Sequence, residues 1–222
     1  YAQDWDRWLK IIYDTQPNTR VVATGSASPA LMKGSRESGA GRWTVIQVPT
    51  MSFYEYCELL DLDRPNIASD LKVTTLLHKS QIERTQIMMQ LSKVQNHFMR
   101  YLQVGGFPEL ALADNDLMAQ QIMREDVVDK VLKRDLPSLY NIRNATELER
   151  IFLYLCNVSS EIVSIEAITK ELNGVSRTTV ENYIQYLESA NLIYQSWPVD
   201  MAGKKVLKAR PKIYIADAAI RN

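Results

Sequence analysis

Two hydroxyl side chains near the start of the sequence could act on a phosphate group. Thr24-Gly25-Ser26 follows residues 20–23, a short run with two valines that predicts a strand ending at this point. Open α/β sheets bind ligands just beyond their strand ends, and a hydroxyl held there could orient a water molecule or contact a γ-phosphate. The alternative is a segment that only forms a turn. Thr24 and Ser26 are therefore candidates for phosphate contact.

Arg42 is a candidate for the same chemistry from a neighbouring subunit. It follows Gly39-Ala40-Gly41 and precedes a second predicted strand, residues 43–48. An arginine on a glycine-hinged lead can reach across an interface and offer its forked donors to transferring phosphate oxygens. The alternative is an arginine that is solvated or paired within the chain. The first interpretation predicts self-association through Arg42.

The segment Gly105-Gly106-Phe107-Pro108-Glu109 follows a predicted helix at residues 81–103. Glycine and proline ordinarily end a helix, so a helix stop is one interpretation. The other is that the glycines let the backbone approach a flat ligand while Pro108 packs against that ligand. Gly105, Gly106 and Pro108 are therefore candidate ligand-binding residues.

Two strands and then helices are predicted for the first two-thirds of the chain. Ser52-Phe53-Tyr54-Glu55 is a capping box that starts a helix running to about residue 62. Apolar residues at helical spacing predict the long helix 81–103 and another at 117–135, which Pro137 should end. This order predicts an α/β start followed by a helical region.

The last third predicts three helices and a two-stranded hairpin. Thr146-Glu147-Leu148-Glu149 reads as a capping box for the first helix, while Ser164 and Ser176 should cap the second and third. Asn173-Gly174 predicts a tight turn between the second and third helices. Strands are expected at 192–197 and from Lys212. This arrangement is that of a winged helix-turn-helix.

Composition indicates an ordinary globular protein. Hydrophobic residues make up 46% of the 222 residues, and 26 basic residues balance 26 acidic ones, so net charge favours neither nucleic acid nor membrane. No apolar run approaches the roughly 20 residues that span a bilayer. The two cysteines, Cys57 and Cys156, lie in helical, apolar patterns typical of core residues, which suits a reducing compartment. We therefore expect a cytoplasmic protein without a membrane partner.

The order of these motifs resembles the predicted AAA-superfamily ATPases of archaea and bacteria, P-loop proteins that carry a winged-helix domain behind the ATPase core. The resemblance covers essentially the whole chain. It rests on Asp4-Trp5, Thr24-Gly25-Ser26, Ala40-Gly41-Arg42, Ser52-Phe53-Tyr54-Glu55-Tyr56, Gly105-Gly106-Phe107-Pro108-Glu109, Arg134-Asp135-Leu136-Pro137, Val175-Ser176-Arg177-Thr178-Thr179-Val180 and Lys212-Ile213-Tyr214-Ile215-Ala216-Asp217.

The resemblance assigns roles to the candidates already named. It implies that Thr24 and Ser26 lie at the sensor strand and that Arg42 acts as a finger in trans. Gly106 and Pro108 match an element near the nucleotide base in the helical lid. ATP and Mg²⁺ are the cofactors implied for the intact protein.

One feature of the family is missing from the sequence. A phosphate-binding loop of the form Gly-x-x-x-x-Gly-Lys-Ser/Thr is absent, because Gly39 is followed by Ala40. A sensor residue and an arginine finger act on a γ-phosphate that the lysine of this loop and Mg²⁺ hold in place, so without the loop they contribute little to catalysis. We therefore expect this chain alone to hold no cofactor and not to hydrolyse ATP, although the resemblance implies that the parent protein is an ATPase. The chain opens almost inside a helix and ends just after a strand, which suggests a middle portion of a longer protein.

The predicted winged helix offers a surface for duplex DNA. Outward positions of its third helix carry polar residues that can reach bases and phosphates, and the hairpin adds lysines: Arg177, Thr178, Thr179, Asn182, Lys204, Lys205 and Lys208. From Asp200 to Arg221, six basic residues against two acidic ones give a local charge of +4. Glu181 and Glu188 on the same helix favour a protein partner instead.

The sequence thus predicts an α/β remnant of a P-loop ATPase core at 1–62, a helical lid at 63–142 and a winged helix at 143–217. Residues 218–222 would start a further domain. The expected function is the nucleotide-sensing and lid part of an ATP-binding AAA-superfamily ATPase. The alternatives are a DNA-binding winged-helix regulator and a protein-interaction scaffold without enzymatic role.

Overall fold

The computed structural model describes residues 5–24, 44, 46–68, 71–172, 174–199 and 209–221. The chain divides into two compact units. The first comprises residues 1–48 and 126–216, and the second comprises 49–125 and 217–222. Of the residues that the structure describes, 59% are helical, and they contain one two-stranded sheet. The prediction of a mostly α chain is therefore confirmed.

Most of the described residues lie in α-helices. The helices are α1 Trp5–Thr15, α2 Phe53–Leu59, α3 Val73–Leu76, α4 Gln81–Ser92, α5 Gln95–Val104, α6 Pro108–Ala111, α7 Asp116–Ile122, α8 Leu136–Tyr140, α9 Ala145–Asn157, α10 Ile165–Glu171 and α11 Arg177–Ser189. Two π-helical segments, Met123–Asp129 and Val131–Asp135, lead into α8. Strands β1 Ile193–Ser196 and β2 Lys212–Ile215 precede a 3-10 turn, Ala218–Arg221.

The two strands predicted near the start are not formed in the described residues. Residues 20–24 are irregular, as are 44 and 46–48 within the second predicted strand. A strand exists only where a neighbour supplies a ladder of hydrogen bonds, and the sheet of the described residues contains only β1 and β2. The described parts of residues 1–62 therefore contain helices and irregular segments but no strand.

The predicted long helix 81–103 is interrupted. Ser92 donates its hydroxyl to the Met89 carbonyl at 2.9 Å, and the backbone N–H of Val94 donates to the Leu91 carbonyl at 3.1 Å. A side chain that competes for helix carbonyls, followed by a tightened turn, ends one helix before the next begins. The buried Val94 starts α5. Periodicity could not show this break because both halves present apolar residues at the same spacing.

Pro137 does not end the helical segment before it, contrary to the prediction. It occupies the first turn of α8, where its missing N–H has no helical partner to lose. The segment ends instead at Asn141, which adopts a left-handed φ of 52°.

The first unit buries the apolar stripes of three helices. The buried residues are Leu148, Ile151, Phe152 and Leu155 on α9, Ile168 on α10, and Val180, Ile184 and Leu187 on α11. Ser164 and Ser176 cap α10 and α11 as predicted. The predicted cap at Thr146 is wrong, since the Asn144 side chain accepts the Glu147 N–H and α9 starts at Ala145.

Strands β1 and β2 are antiparallel, with Ile193 opposite Ile215 and Gln195 opposite Ile213. Ile193 and Ile213 are fully buried, so one face of the hairpin belongs to the core of the first unit. Gly174, between α10 and α11, has a φ of +95°, as the predicted tight turn requires. Three helices followed by an antiparallel hairpin therefore form in the predicted order.

Cys57 and Cys156 are both buried, as their patterns predict. In the described ranges no helix is long and apolar enough to cross a bilayer. The same ranges contain no cluster of three His, Cys, Asp or Glu side chains that could hold a metal ion.

Candidate functional site

The Gly105–Gly106 turn of the second unit is built around a buried carboxylate. Gly105 ends α5 with a φ of 81°, a conformation that favours glycine. The Gly106 N–H donates to Asp217 Oδ2 at 2.8 Å, and the Ala219 N–H donates to Asp217 Oδ1 at 2.9 Å. Asp217 is only 6% exposed. Hydrogen bonds of this charge-assisted kind satisfy a carboxylate that would otherwise be costly to bury.

Both glycines are required by close contacts. A Cβ atom added to Gly105 would lie 2.4 Å from Asp217 Oδ1 and 2.9 Å from the Ala219 Cβ. A Cβ atom on Gly106 would lie 2.3 Å from the Met51 carbonyl oxygen and 2.8 Å from the Met51 nitrogen. The turn is thus enclosed by the Met51 backbone on one side and by Asp217 on the other.

Met51 links this turn to the start of α2. Its N–H donates to the Gly106 carbonyl at 2.8 Å, and its own carbonyl accepts the Tyr101 hydroxyl at 2.8 Å. Burial raises the pKa of Tyr101, and the nearby Asp217 and Glu55 carboxylates raise it further. The hydroxyl therefore stays protonated and remains a donor over the ordinary pH range.

An aromatic cluster packs beside the turn. Phe53 contacts three rings, with centroid separations of 5.9 Å to Tyr56, 5.0 Å to Phe98 and 5.5 Å to Tyr101. Ser52 caps α2 through the predicted capping box with Glu55, so the box is confirmed. The cap sets where α2 begins and thereby places Phe53 against the end of α5.

Arg100 ties four elements of the second unit together. Its Nε donates to Asp116 at 2.8 Å, and Nη1 donates to the Tyr56 hydroxyl at 2.9 Å. The carbonyls of Ala111 and Ala113 accept from Nη1 and Nη2 at 2.8 and 2.7 Å. A planar guanidinium can satisfy all these acceptors at once, which an ammonium cannot.

The predicted phosphate-contacting residues are only partly described. Thr24 is exposed and lies in an irregular segment. Ser26 and Arg42 lie outside the described residues. Gly105 and Gly106 are buried, whereas Pro108 is exposed at the first position of α6. Of the predicted set, the structure brings the two glycines together with a residue that was not predicted, Asp217.

Asp217, Met51 and Arg100 were not identified as site residues from the sequence. Asp217 carried one visible signal, an acidic residue directly after the apolar run 213–216. Met51 contacts the turn through its backbone N–H and carbonyl, and its residue type gives no indication of this role. Arg100 lies in a helix that has several other polar residues, so its type alone does not distinguish it.

Four of the predicted DNA-contacting residues lie on α11 of the first unit. Thr178 and Asn182 are exposed, and Thr179 is half-buried with its hydroxyl 2.8 Å from Ser176 Oγ. Arg177 is exposed but forms ion pairs with Glu166 and Glu181. Lys204, Lys205 and Lys208 lie outside the described residues.

Glu188, by contrast, is a structural residue. It accepts the Gln195 N–H at 3.0 Å and the Gln195 side-chain amide at 2.7 Å, which joins α11 to β1. Both of its carboxylate oxygens therefore already accept hydrogen bonds within the first unit.

Most of the described residues fall within a match to one known family. Residues 95–222, more than half of the chain, match the family described as a domain of unknown function, DUF8612. The chain belongs to this family. The match contains the Gly105–Gly106 turn, α9 to α11, the hairpin and Asp217, so the pairing between Asp217 and the turn lies inside one family unit.

A second match covers the beginning of the chain. Residues 1–57 match a family described as an AAA domain. The match points to the AAA-like ATPase superfamily and includes Thr24, Ser26 and Arg42. The match suggests nucleotide binding.

Three curated relatives are similar over most of the chain. Uncharacterized protein MJ1544 of Methanocaldococcus jannaschii is 28% identical, covering 87% of this chain and 40% of its own length. An uncharacterized protein of Haemophilus influenzae is 24% identical over 96% of this chain and 48% of its length. Uncharacterized protein MJ1637 of Methanocaldococcus jannaschii is 23% identical over 95% and 43%, respectively.

The chain therefore spans less than half the length of these relatives. No solved structure matches the chain.

Proposed function

We propose that this chain is the nucleotide-sensing and lid portion of an AAA-superfamily ATPase, joined to a winged-helix domain. The observation that carries the proposal is the AAA-domain match over residues 1–57, which contains all three candidate phosphate-contacting residues. In the proposal, residues 1–62 complete the ATPase core, 63–142 form the lid and 143–217 form the winged helix. In a longer protein, bound ATP would then change the positions of the lid and the winged helix.

Each candidate residue has a part in this proposal. Thr24 and Ser26 sense the γ-phosphate, and Arg42 donates to the transferring phosphate in a neighbouring subunit. ATP and Mg²⁺ would be held by a phosphate-binding loop that this sequence does not contain. Without that loop, Arg42 has no bound triphosphate to stabilise, so the chain alone is not expected to turn over ATP.

The Gly105–Gly106 turn has a positioning role in the proposed lid. The Gly106 N–H is engaged by Asp217, and the Met51 backbone closes the other side of the turn. Contact with the nucleotide base would therefore use the exposed ring of Pro108, while Gly105 and Gly106 hold that ring in place. A turn fixed on both sides can present Pro108 without first becoming ordered.

The order of elements in the first unit supports the winged-helix part of the proposal. Helices α9, α10 and α11 precede the β1–β2 hairpin, and Gly174 makes the tight turn before α11. In winged helices of this order the third helix is the recognition helix. By analogy, α11 would be the recognition helix of this chain.

The ATPase proposal is tested in a longer protein that carries this chain behind its phosphate-binding loop. Arg42→Ala should lower kcat about 10³-fold, because an arginine finger contributes on that order. Arg84→Ala, on the exposed side of α4, is the matched control and should leave kcat unchanged. Full activity in the Arg42→Ala variant would remove the finger role.

Action in trans has a separate signature. Arg42→Ala protein mixed with a Thr24→Ala/Ser26→Ala variant forms hybrid interfaces, some of which pair an intact finger with an intact sensor. Activity of the mixture should therefore exceed that of either variant alone. A mixture no more active than its components would show that Arg42 does not act between subunits.

DNA binding is the second candidate function, favoured by the exposed polar side chains of Arg177, Thr178 and Asn182 on α11. Lys204, Lys205 and Lys208 in the intervening segment would add phosphate contacts. Duplex DNA should then bind with an affinity that falls steeply between about 50 and 200 mM salt. A flat response to salt, or no binding at low salt, would leave the protein-interaction scaffold as the function of this domain.

A further inference from the structure

Glu166 is the centre of an ion-pair network at the exposed end of α11. Its Oε1 pairs with Arg177 Nη1 at 2.8 Å, and its Oε2 lies 3.8 Å from Arg210 Nη2. The Ser164 hydroxyl donates to Oε2 at 2.8 Å. Arg177 also pairs through Nε with Glu181 at 2.8 Å. The charges of two arginines and two glutamates thus balance at the N-terminus of α11, the proposed recognition helix.

Glu166 differs from Glu181 in what it holds. Glu181 lies one turn along α11 from Arg177 and forms a local pair within that helix. Glu166 lies on α10 and reaches both Arg177, on α11, and Arg210, in the irregular segment just before β2. The hydrogen bond from Ser164, the cap of α10, fixes the orientation of the Glu166 carboxylate. Glu166 is therefore the residue that pairs with both guanidinium groups, whereas Glu181 pairs only with that of Arg177.

The network is exposed enough to open. The side chains of Arg177 and Glu166 are 64% and 57% exposed, and ion pairs in such positions contribute little to stability because water and salt screen them. A DNA phosphate offers the same kind of acceptor as a carboxylate and suits the forked donors of arginine equally well. A phosphate can thus replace Glu166 without disturbing the fold.

We propose that Glu166 is a built-in competitor for DNA phosphate, which occupies Arg177 and Arg210 until a duplex displaces it. The proposal rests on the DNA-binding function proposed above and names its regulation. Glu166 weakens binding to any phosphate backbone, so a duplex must supply further contacts, such as those of Thr178 and Asn182 with bases, to be held. Glu166 is accordingly a residue that sets specificity.

The carboxylate is well suited to this role because it stays ionised. Hydrogen bonds from the backbone N–H of Glu166 and from Ser164 lower its pKa, and the nearby Arg177 and Arg210 lower it further. Its place in the first turn of α10 also favours a negative charge.

The test compares duplex DNA binding by the wild type, Glu166→Gln and Glu171→Gln, with a labelled duplex of random sequence at about 50 to 200 mM salt. Glu171 lies at the other end of α10, so its substitution removes the same charge outside the network. Glu166→Gln should raise affinity about three- to tenfold at low salt, as expected for release of charge-assisted pairs. The slope of log affinity against log salt should steepen by about one per arginine released. Glu171→Gln should change affinity less than about twofold, because its charge is screened.

A double-mutant cycle separates release of Arg177 from a simple loss of negative charge. In an Arg177→Ala background, the gain from Glu166→Gln should shrink, since only Arg210 is left to release. Equal gains from both glutamine variants, or a gain that persists in full without Arg177, would overturn the competitor role while leaving DNA binding intact. Absence of binding in the wild type and every variant would overturn both proposals. Circular dichroism of each variant checks that α10 and α11 remain folded.

Discussion

The Asp217 carboxylate accepts the Gly106 backbone N–H at 2.8 Å, across 111 positions of sequence. The same carboxylate accepts the Ala219 N–H, and its Oδ1 occupies the space that a Cβ atom of Gly105 would need. The end of α5 is therefore shaped around a residue that follows β2 in the sequence. Both residues lie within the family match at residues 95–222.

Replacement of Asp217 should destabilise the second unit. Asp217→Ala leaves the N–H groups of Gly106 and Ala219 buried without an acceptor, and each such group costs about 1–3 kcal/mol. We expect the free energy of unfolding to fall by about 3 kcal/mol, measured by denaturant titration. Glu109→Ala, an exposed carboxylate in the next turn, should change it by less than about 0.5 kcal/mol. Equal effects of the two variants would contradict the role of Asp217.

A methyl group at Gly106 should be tolerated less well than one at Gly174. Gly106→Ala brings its Cβ atom against the Met51 backbone, which cannot rotate away, so the cost should exceed about 3 kcal/mol. Gly174 has a φ of +95° but open space around it. Gly174→Ala therefore carries only the backbone strain of about 1–2 kcal/mol. Thermal melting of the two variants would test this order, and the reverse order would rule out close contact at Gly106.

Arg100→Lys should be more damaging than its conservative chemistry suggests. Lysine cannot reach Asp116, the Tyr56 hydroxyl and two backbone carbonyls together, so several partly buried acceptors lose their donors. We expect a loss of about 2–3 kcal/mol in the free energy of unfolding. Arg64→Lys, in the exposed pair with Glu58, should cost less than about 0.5 kcal/mol. A native-like melting curve for Arg100→Lys would argue against the network.

Glu83 should titrate far below an ordinary glutamate. Hydrogen bonds from the Ser80 hydroxyl and backbone N–H lower its pKa from 4.5 to about 2, and Lys79 adds to the shift. Because the pKa of the folded state is the lower one, the interaction stabilises the protein above about pH 4.5 and is lost as the pH falls toward 2.

An NMR titration of the Glu83 side chain would measure this shift. In Ser80→Ala, which removes the hydroxyl but keeps the backbone N–H, the pKa should move part of the way back toward 4.5, and Lys79→Ala should also move it in that direction. If Ser80→Ala left the pKa of Glu83 unchanged, the cap would not be its origin.

Several helix starts were predictable because they depend on residues close in sequence. The caps at Ser52, Ser164 and Ser176 each involve a side chain and a backbone N–H three residues later. The error at α9 has the same origin. Asn144 and Thr146 are both good caps near the same helix, and the spacing alone does not choose between them.

The strands show what residue composition along the chain cannot predict, which is whether a segment finds a pairing partner. The β1–β2 hairpin was predicted correctly, and its buried positions Ile193 and Ile213 face the helices that precede it in the chain. Residues 20–23 and 43–48 have comparable strand composition but remain irregular where they are described. Strand formation requires a hydrogen-bonding neighbour, so composition identifies only a segment that is able to pair.

Residue types and short spacings were sufficient to predict the helical character, three of the helix caps, the glycine turn after α5 and the polar face of α11. They could not predict that Asp217 fills that turn, that the Met51 backbone closes it, or that Glu166 occupies Arg177. These contacts join residues from separate elements, and their partners are chosen by how the elements pack rather than by any periodicity along the chain. For that reason the two glycines could be interpreted from the sequence as a ligand site, whereas in the folded chain their close neighbours are its own atoms.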